Sequence, residues 1–160
     1  MAQYFKGCSR AVWNCYIKEY FIKLLPHYHL QSTRTINRKL MALACRGTIF
    51  IQFDFAAYYD QFGIARAISE FFCFLGRNNE TFALTRLPMG FTLACAIAQA
   101  TTWQLLNFEK RSTLFTCIDN IAFAGPIDDV LHDVTTFLAR VSAVNATLNE
   151  LDSQDISEFL

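Results

Sequence analysis

Apolar side chains recur at helical spacing through the first third of the chain. In residues 1–30 they stand four positions apart up to Pro26, which predicts a first helix. Ser32 or Thr33 is placed to cap a second helix that runs to about Cys45. Two helices are therefore expected before the first strand.

Two apolar runs predict strands, and each run ends on an acidic residue. The first run covers 48–53 and ends on Asp54. The second run covers 114–118 and ends on Asp119, where a hairpin is predicted to turn at Asp119 and Asn120. The acids are therefore expected at strand ends.

Helical spacing returns between and after these runs. It predicts helices over 64–75, 92–108 and 130–144, with short strands over 81–87 and near Thr147. Helices thus alternate with a small, largely antiparallel sheet. The expected class is an α+β fold.

Composition supports one folded domain. The chain has 160 residues, of which 53% are hydrophobic, and this is ample for a core and excludes disorder. Its sixteen Phe exceed the needs of one small core, so some are expected to cover surfaces that a neighbouring domain would bury, as in a fragment.

No apolar stretch reaches the roughly 18 to 20 residues of a membrane span, and the start lacks a signal-peptide pattern, which favours an intracellular protein. The cysteines form no C-x-x-C pair, so neither a zinc site nor a disulfide framework is indicated.

Charge is sorted along the chain although the net charge is zero. Residues 1–48 hold eight Lys or Arg against the single acid Glu19, and residues 118–160 hold eight acids against Arg140. A basic segment interleaved with aromatic residues suits nucleic acid, which attracts cations and offers bases for stacking. A solvated helix face explains the same composition equally well.

The two acids at strand ends are the strongest candidates for chemistry. Each has a simpler explanation in isolation, Asp54 as a cap for the next turn and Asp119 as a hairpin residue. If their strands are neighbours, both carboxylates converge at one edge, and the carbonyl of Phe55 can complete a shell of oxygen ligands for Mg²⁺. Between them, 87–91 is a Gly-containing turn that opens a long helix.

Five segments resemble the motifs of retroelement reverse transcriptases, in the same order. Residues 53–59 (FDFAAYY), 87–99 (LPMGFTLACAIAQ) and 117–121 (CIDNI) resemble motifs A, B and C. Residues 147–150 (TLNE) are similar to motif D, and residues 156–160 (ISEFL) to the start of motif E. One motif alone is weak, whereas several in register are specific.

The resemblance covers about 31–160 and implies a polymerase palm with partial helical fingers. The implied division is a basic fingers segment at 1–47 and a palm at 48–160. The implied activity is that of an RNA-directed DNA polymerase, which adds deoxynucleotides to a primer on a nucleic-acid template with two Mg²⁺ or Mn²⁺ ions. The implied partners are a primer–template and deoxynucleoside triphosphates.

The resemblance also assigns roles to single residues. Asp54, Asp119 and Asn120 take the catalytic positions, and Asp54, Asp119 and the carbonyl of Phe55 take the metal positions. The nucleotide-binding and template-binding positions are the following: Tyr59, Met89 and Gly90 for the nucleotide, and Gln99 for the template. Tyr59 would exclude a 2′-hydroxyl, although a packing role for Tyr59, and equally for Gln99, fits the sequence too.

Departures from the family pattern in motif C and in the fingers favour an alternative. Asn120 stands where motif C has its second Asp, and Cys117 replaces the Tyr of that motif. A motif of this kind is similar to that of retroelements of the tyrosine-recombinase class, such as VIPER. The Lys and Arg that grip the triphosphate in this family have no counterpart in 34–46. The alternative is therefore a catalytically inactive remnant, either a nucleic-acid-binding pseudoenzyme or a truncated product without function. An unrelated ferredoxin-like interaction domain is a third hypothesis.

Overall fold

The computed structural model describes most of the chain. The described residues are 2–5, 8–11, 30–43 and 48–149, the first two of these by their backbone alone. Contacts divide the chain into two compact units. Unit 1 consists of Met1–His27 and Ala57–Ile97, and unit 2 consists of Tyr28–Ala56 and Ala98–Leu160. The predicted boundary between 1–47 and 48–160 stays a prediction.

Helices separate single strands or pairs of consecutive strands along the chain. In chain order they are β1 (Ala2–Phe5), β2 (Cys8–Ala11), α1 (Thr33–Leu43), β3 (Thr48–Asp54), α2 (Arg66–Ser69), β4 (Cys73–Leu75), β5 (Thr81–Ala83), α3 (Ala94–Leu105), β6 (Thr113–Cys117), β7 (Asn120–Pro126) and α4 (Ile127–Ala143). Short 3₁₀ turns cover Tyr58–Gln61 and Glu70–Phe72. The predicted α+β class is confirmed. Within the described residues, no helix is both long and apolar enough to cross a membrane.

Unit 2 is built on an antiparallel sheet in the order β3-β7-β6. The middle strand β7 is buried from Ile121 to Gly125, because helices cover both faces of the sheet. On one face, Phe53 and Phe123 pack against Phe137 of α4, with ring centroids 5.5 and 5.7 Å away. These aromatic contacts fix the sheet against α4.

Helix α1 covers the opposite face of the sheet. Its Ile36 and Leu43 pack against a buried cluster of Phe115, Ala122 and Ala124. The predicted cap is confirmed, since the N–H of Thr35 donates to Ser32 Oγ over 3.2 Å. Lys39 Nζ donates to the carbonyl of Leu114 over 3.2 Å, which ties α1 to the outer strand β6.

A buried carboxylate joins α4 to the loop before β6. Asp133 is fully buried and accepts hydrogen bonds from the backbone N–H groups of Arg111 and Ser112 and from Ser112 Oγ. His132 Nδ1 lies 3.2 Å from the same carboxylate. Burial alone would raise the pKa of Asp133, but the bonds from Ser112, His132 and Arg111 outweigh it and hold the pKa below its usual value.

Two predicted helices are wrong in the described residues. Over 2–5 and 8–11 the backbone forms the antiparallel pair β1 and β2, and the rest of the predicted first helix lies outside the described residues. The predicted helix 64–75 is α-helical only over Arg66–Ser69, continues as a 3₁₀ turn over Glu70–Phe72 and then becomes the strand β4. Pairing of β4 with β5 overrides the local apolar spacing there.

Unit 1 has a small core of its own. Phe72, Leu87, Phe91 and Ala94 are buried together, and Tyr59 is among the half-buried side chains that pack against them. The Phe72 and Phe91 rings meet edge to face with centroids 5.0 Å apart. This cluster fixes the turn at 87–91 against the 3₁₀ turn that holds Phe72.

Candidate functional site

The structure places the two strand-end acids at the same end of the sheet in unit 2. Asp54, the last residue of β3, lies directly opposite Asn120, the first residue of β7. Side chains opposite each other in an antiparallel pair share a face, with Cβ atoms about 4.5 to 5.5 Å apart. The N–H of Phe55 donates to the carbonyl of Asp119 over 3.1 Å. The segment after Asp54 is thereby fixed to the hairpin that holds Asp119.

The β6–β7 hairpin turns one residue earlier than predicted. Cys117 pairs with Asn120, so Ile118 and Asp119 form a two-residue turn and Asn120 belongs to β7. Ile118 has a φ of 56°, a left-handed conformation that is costly for a β-branched residue. A turn of this kind persists only where its surroundings hold it.

Two buried polar residues of α3 hold the strained turn. Gln99 Oε1 accepts a hydrogen bond from the N–H of Ile118 over 2.8 Å. Thr102 Oγ1 donates to the carbonyl of Ile118 over 2.7 Å. Gln99 and Thr102 are both fully buried. Their side chains therefore pair both backbone polar groups of Ile118 and set the position of Asp119 beside it.

The burial of Gln99 gives its predicted template contact no support. Its side chain has no surface for a template strand and faces the hairpin. Thr102, three positions further along the same helical face, was not singled out from sequence. Its spacing from Gln99 is the signal that would have found it.

Amide groups pair with the oxygens of the acid pair. Asn120 Nδ2 donates to Asp119 Oδ1 over 3.2 Å, and Asn120 Oδ1 accepts from Gln52 Nε2 over 3.1 Å. Asn149 Nδ2 donates to Asp54 Oδ2. Each carboxylate thus accepts a hydrogen bond from an asparagine, and Gln52 orients the asparagine beside Asp119.

The donor set suits a hard divalent cation. Asp54 and Asp119 are only partly exposed, and they offer carboxylate oxygens, the ligands that Mg²⁺ and Mn²⁺ prefer. In the part of the chain that the structure describes, no three His, Cys, Asp or Glu side chains group around a point that could hold a metal. Two carboxylates would therefore need backbone, water or substrate oxygens to complete a shell. The predicted carbonyl ligand of Phe55 stays a prediction.

The predicted nucleotide residues belong to unit 1. Tyr59 is half-buried, and its hydroxyl lies 3.2 Å from Cys95 Sγ, near the start of α3. Met89 is half-buried, and Gly90 is exposed with a φ of 95°. Only glycine adopts that backbone angle without strain, which explains Gly at this turn.

Comparison with known proteins supports the fold. No protein-family model and no curated protein matches the chain. A foamy viral protease-reverse transcriptase, solved in complex with double-stranded DNA, is similar over 92% of this chain with a TM-score of 0.68 and 17% sequence identity. The fold resembles that of a reverse transcriptase. The chain spans 25% of the length of that solved chain, and at this identity the similarity shows the fold alone.

The sequence predicted some residues of the site and missed others. Asp54, Phe55, Asp119 and Asn120 lie at one sheet end. The prediction required the strands that lead to the two acids to be neighbours, whereas β7 separates β3 from β6, and Asp119 reaches this end through the β6–β7 turn. Asn149 received no role, although it lies in the segment that resembles motif D. No sequence signal marks its contact with Asp54, because 95 residues separate the two.

Proposed function

We propose that the chain is the palm and part of the fingers of a reverse transcriptase-type nucleotidyltransferase. The observation that carries the proposal is the pairing of Asp54 with Asn120 at the sheet end where the hairpin presents Asp119. The structural similarity to a reverse transcriptase supports it independently. The proposed reaction adds a deoxynucleotide to a primer 3′-hydroxyl on a nucleic-acid template.

Asp54 and Asp119 are the proposed metal ligands. Two Mg²⁺ or Mn²⁺ ions, when bound, would activate the primer hydroxyl and neutralise charge on the triphosphate. The role of the protein is to hold the two carboxylates in position. Asp54 is fixed by strand pairing, and Asp119 is fixed through the hydrogen bonds that Gln99 and Thr102 make to Ile118.

Tyr59, Met89 and Gly90 are the proposed nucleotide-binding residues. A half-buried ring at Tyr59 would select against a 2′-hydroxyl by steric exclusion. The exposed, left-handed Gly90 would allow a nucleotide to approach the backbone closely.

Helix α1 is the proposed contact for the nucleic-acid backbone in unit 2. Arg34 and Arg38 are one helical turn apart, so they lie on the same side of α1, and both are exposed. The helix contains no acidic residue. Two exposed cations without a neighbouring acid on the helix suit phosphate groups, which favours nucleic-acid binding over a merely solvated face.

Charge reversal on α1 is expected to weaken nucleic-acid binding. The double substitution Arg34→Glu with Arg38→Glu should lower the affinity for an RNA–DNA duplex about ten-fold or more at 50 mM salt. It should also make the slope of log affinity against log salt concentration shallower by about two, because two phosphate contacts are lost. Fluorescence anisotropy of a labelled duplex across a salt series measures both. Arg111→Glu, which reverses one exposed arginine before β6, is the control for charge reversal outside α1. An unchanged salt slope in the double variant would show that α1 is a solvated face.

Primer extension tests the proposed activity. Wild-type chain on poly(rA)·oligo(dT) with dTTP is expected to extend the primer in Mg²⁺ or Mn²⁺ and not in EDTA. Asp54→Ala is the blank, and Asp128→Asn, which removes an exposed acid of α4, is the control that should retain activity. Extension by the Asp54→Ala chain, or none by wild type in either ion, would contradict the proposal.

One contact favours the second candidate, a nucleic-acid-binding remnant without activity. Asn120 turns its amide N–H toward Asp119. A hydrogen-bond donor in that place satisfies the carboxylate without any metal ion. Duplex binding that depends on Arg34 and Arg38, together with no extension in either ion, is the result that this second candidate predicts.

A further inference from the structure

Asn149 holds Asp54 through both its backbone and its side chain. The N–H of Asn149 donates to the carbonyl of Asp54 over 2.8 Å, and its side-chain amide donates to Oδ2 of the same residue. Leu148 forms an antiparallel bridge with Phe55. The segment that follows α4 therefore runs alongside the residues that follow β3 and delivers an amide donor to the carboxylate.

We infer that Asn149 is a positioning residue for the Asp54 carboxylate. A hydrogen bond to one carboxylate oxygen restricts the side-chain torsions of Asp54 and leaves the other oxygen for a cation. Donors of this kind, which touch a metal ligand and not the metal, set the ligand's orientation and tune metal affinity. The inference rests on the proposed function, because only the proposed function makes Asp54 a metal ligand.

A purely structural role for the side chain fits the contacts less well. The backbone already secures this segment, since the N–H of Ala56 donates to the carbonyl of Thr147 over 3.0 Å and Asn149 donates from its own N–H. Asn149 is also exposed, so burial does not explain an amide there. The side chain is thus the one part of this pairing that acts on the carboxylate.

Mn²⁺ binding to the full chain tests the inference without any need for activity. Asn149→Ala keeps the backbone hydrogen bond and removes the donor, so Mn²⁺ affinity measured by electron paramagnetic resonance should fall about ten-fold. Asn149→Ser, which keeps a short donor, should recover part of the loss. Asn107→Ala, at an exposed asparagine after α3, should bind as wild type does. Melting temperatures in ion-free buffer should agree among all four chains.

The outcomes separate this inference from the function on which it rests. If wild type binds Mn²⁺ and Asp54→Ala does not, the proposed metal site stands, and equal or tighter binding by Asn149→Ala then overturns the positioning role alone. A second outcome would also overturn the inference: Asn149→Ala loses its fold, and Asn149→Ser folds but binds Mn²⁺ as weakly as Asn149→Ala. The side chain would then serve stability and not metal binding. If wild type binds no Mn²⁺ that depends on Asp54, the proposed function fails and the inference with it.

Discussion

Replacing Asp133 with alanine is expected to lower the free energy of unfolding by about 2 to 4 kcal/mol. The carboxylate is fully buried and accepts bonds from Arg111 and Ser112, so the substitution leaves several donors without their acceptor. A hydrogen bond to a charged group is worth about 1.5 to 3 kcal/mol, and water can replace part of the loss because Arg111 and Ser112 are partly exposed. Urea denaturation at pH 7 measures the change.

The pH dependence of stability tests whether the negative charge of Asp133 is what stabilises this contact. Its pKa is lowered in the folded protein, so its contribution is present above the unfolded-state pKa of about 3.9 and is lost as the pH falls through the lower folded-state value. The stability difference between wild type and Asp133→Asn should therefore be largest above about pH 5 and should shrink toward pH 3. Asp128→Asn, at an exposed acid in the first turn of the same helix, should change stability by less than about 1 kcal/mol. A constant difference between pH 7 and pH 3 would mean that shape, and not charge, stabilises this contact.

Asp133 also shows where sequence reasoning stops. It lies in the acidic segment 118–160, which holds eight acids against one base. Its burial depends on backbone donors at Arg111 and Ser112, which lie 22 and 21 residues away and carry no sequence signal. A buried acid cannot be told from a surface acid when its partners are backbone N–H groups.

The strand-end acids were predictable because their pattern is local. An apolar run that ends on a polar residue marks the end of a strand, and this placed Asp54 correctly at the end of β3. Asp119 follows β6 as predicted, but it is the second residue of the turn and not the first. The register that sets Asn120 opposite Asp54 and the turn at Ile118 were not predictable, because both depend on pairing between strands. The strain at Ile118 is held by buried partners in α3, which no local pattern reveals.

The same limit explains the wrong helices. Apolar residues over 64–75 recur at helical spacing, yet several of them are exposed, and the last three residues pair with β5. Spacing reports which side chains share a helical face only if the segment is helical. Strand pairing decided the conformation of this segment instead.

Restoring a carboxylate with Asn120→Asp is expected to make the stability of the chain depend on Mg²⁺. Asn120 now donates to Asp119 Oδ1 over 3.2 Å, so the substitution replaces an attraction with repulsion between two carboxylates. Without divalent ions the melting temperature should fall. With Mg²⁺ the added charged ligand should strengthen binding by about 1.5 to 3 kcal/mol, or roughly ten-fold to a hundred-fold, and extension should rise with it.

The backbone gives no reason for the variant to misfold. Asn120 is the first residue of β7, paired with Asp54 and Cys117, and it needs no left-handed angle. Gln52 can still donate to a carboxylate oxygen at this position. Asn107→Asp, which adds an equal charge at an exposed position, controls for net charge.

If Mg²⁺ fails to restore the melting temperature of Asn120→Asp and neither chain extends a primer, the two carboxylates are not a metal site, because a third ligand would then have only repelled its neighbours. A gain in Mg²⁺ binding without extension would instead show that the acids bind a metal ion, and that the missing motif C carboxylate is not what prevents extension.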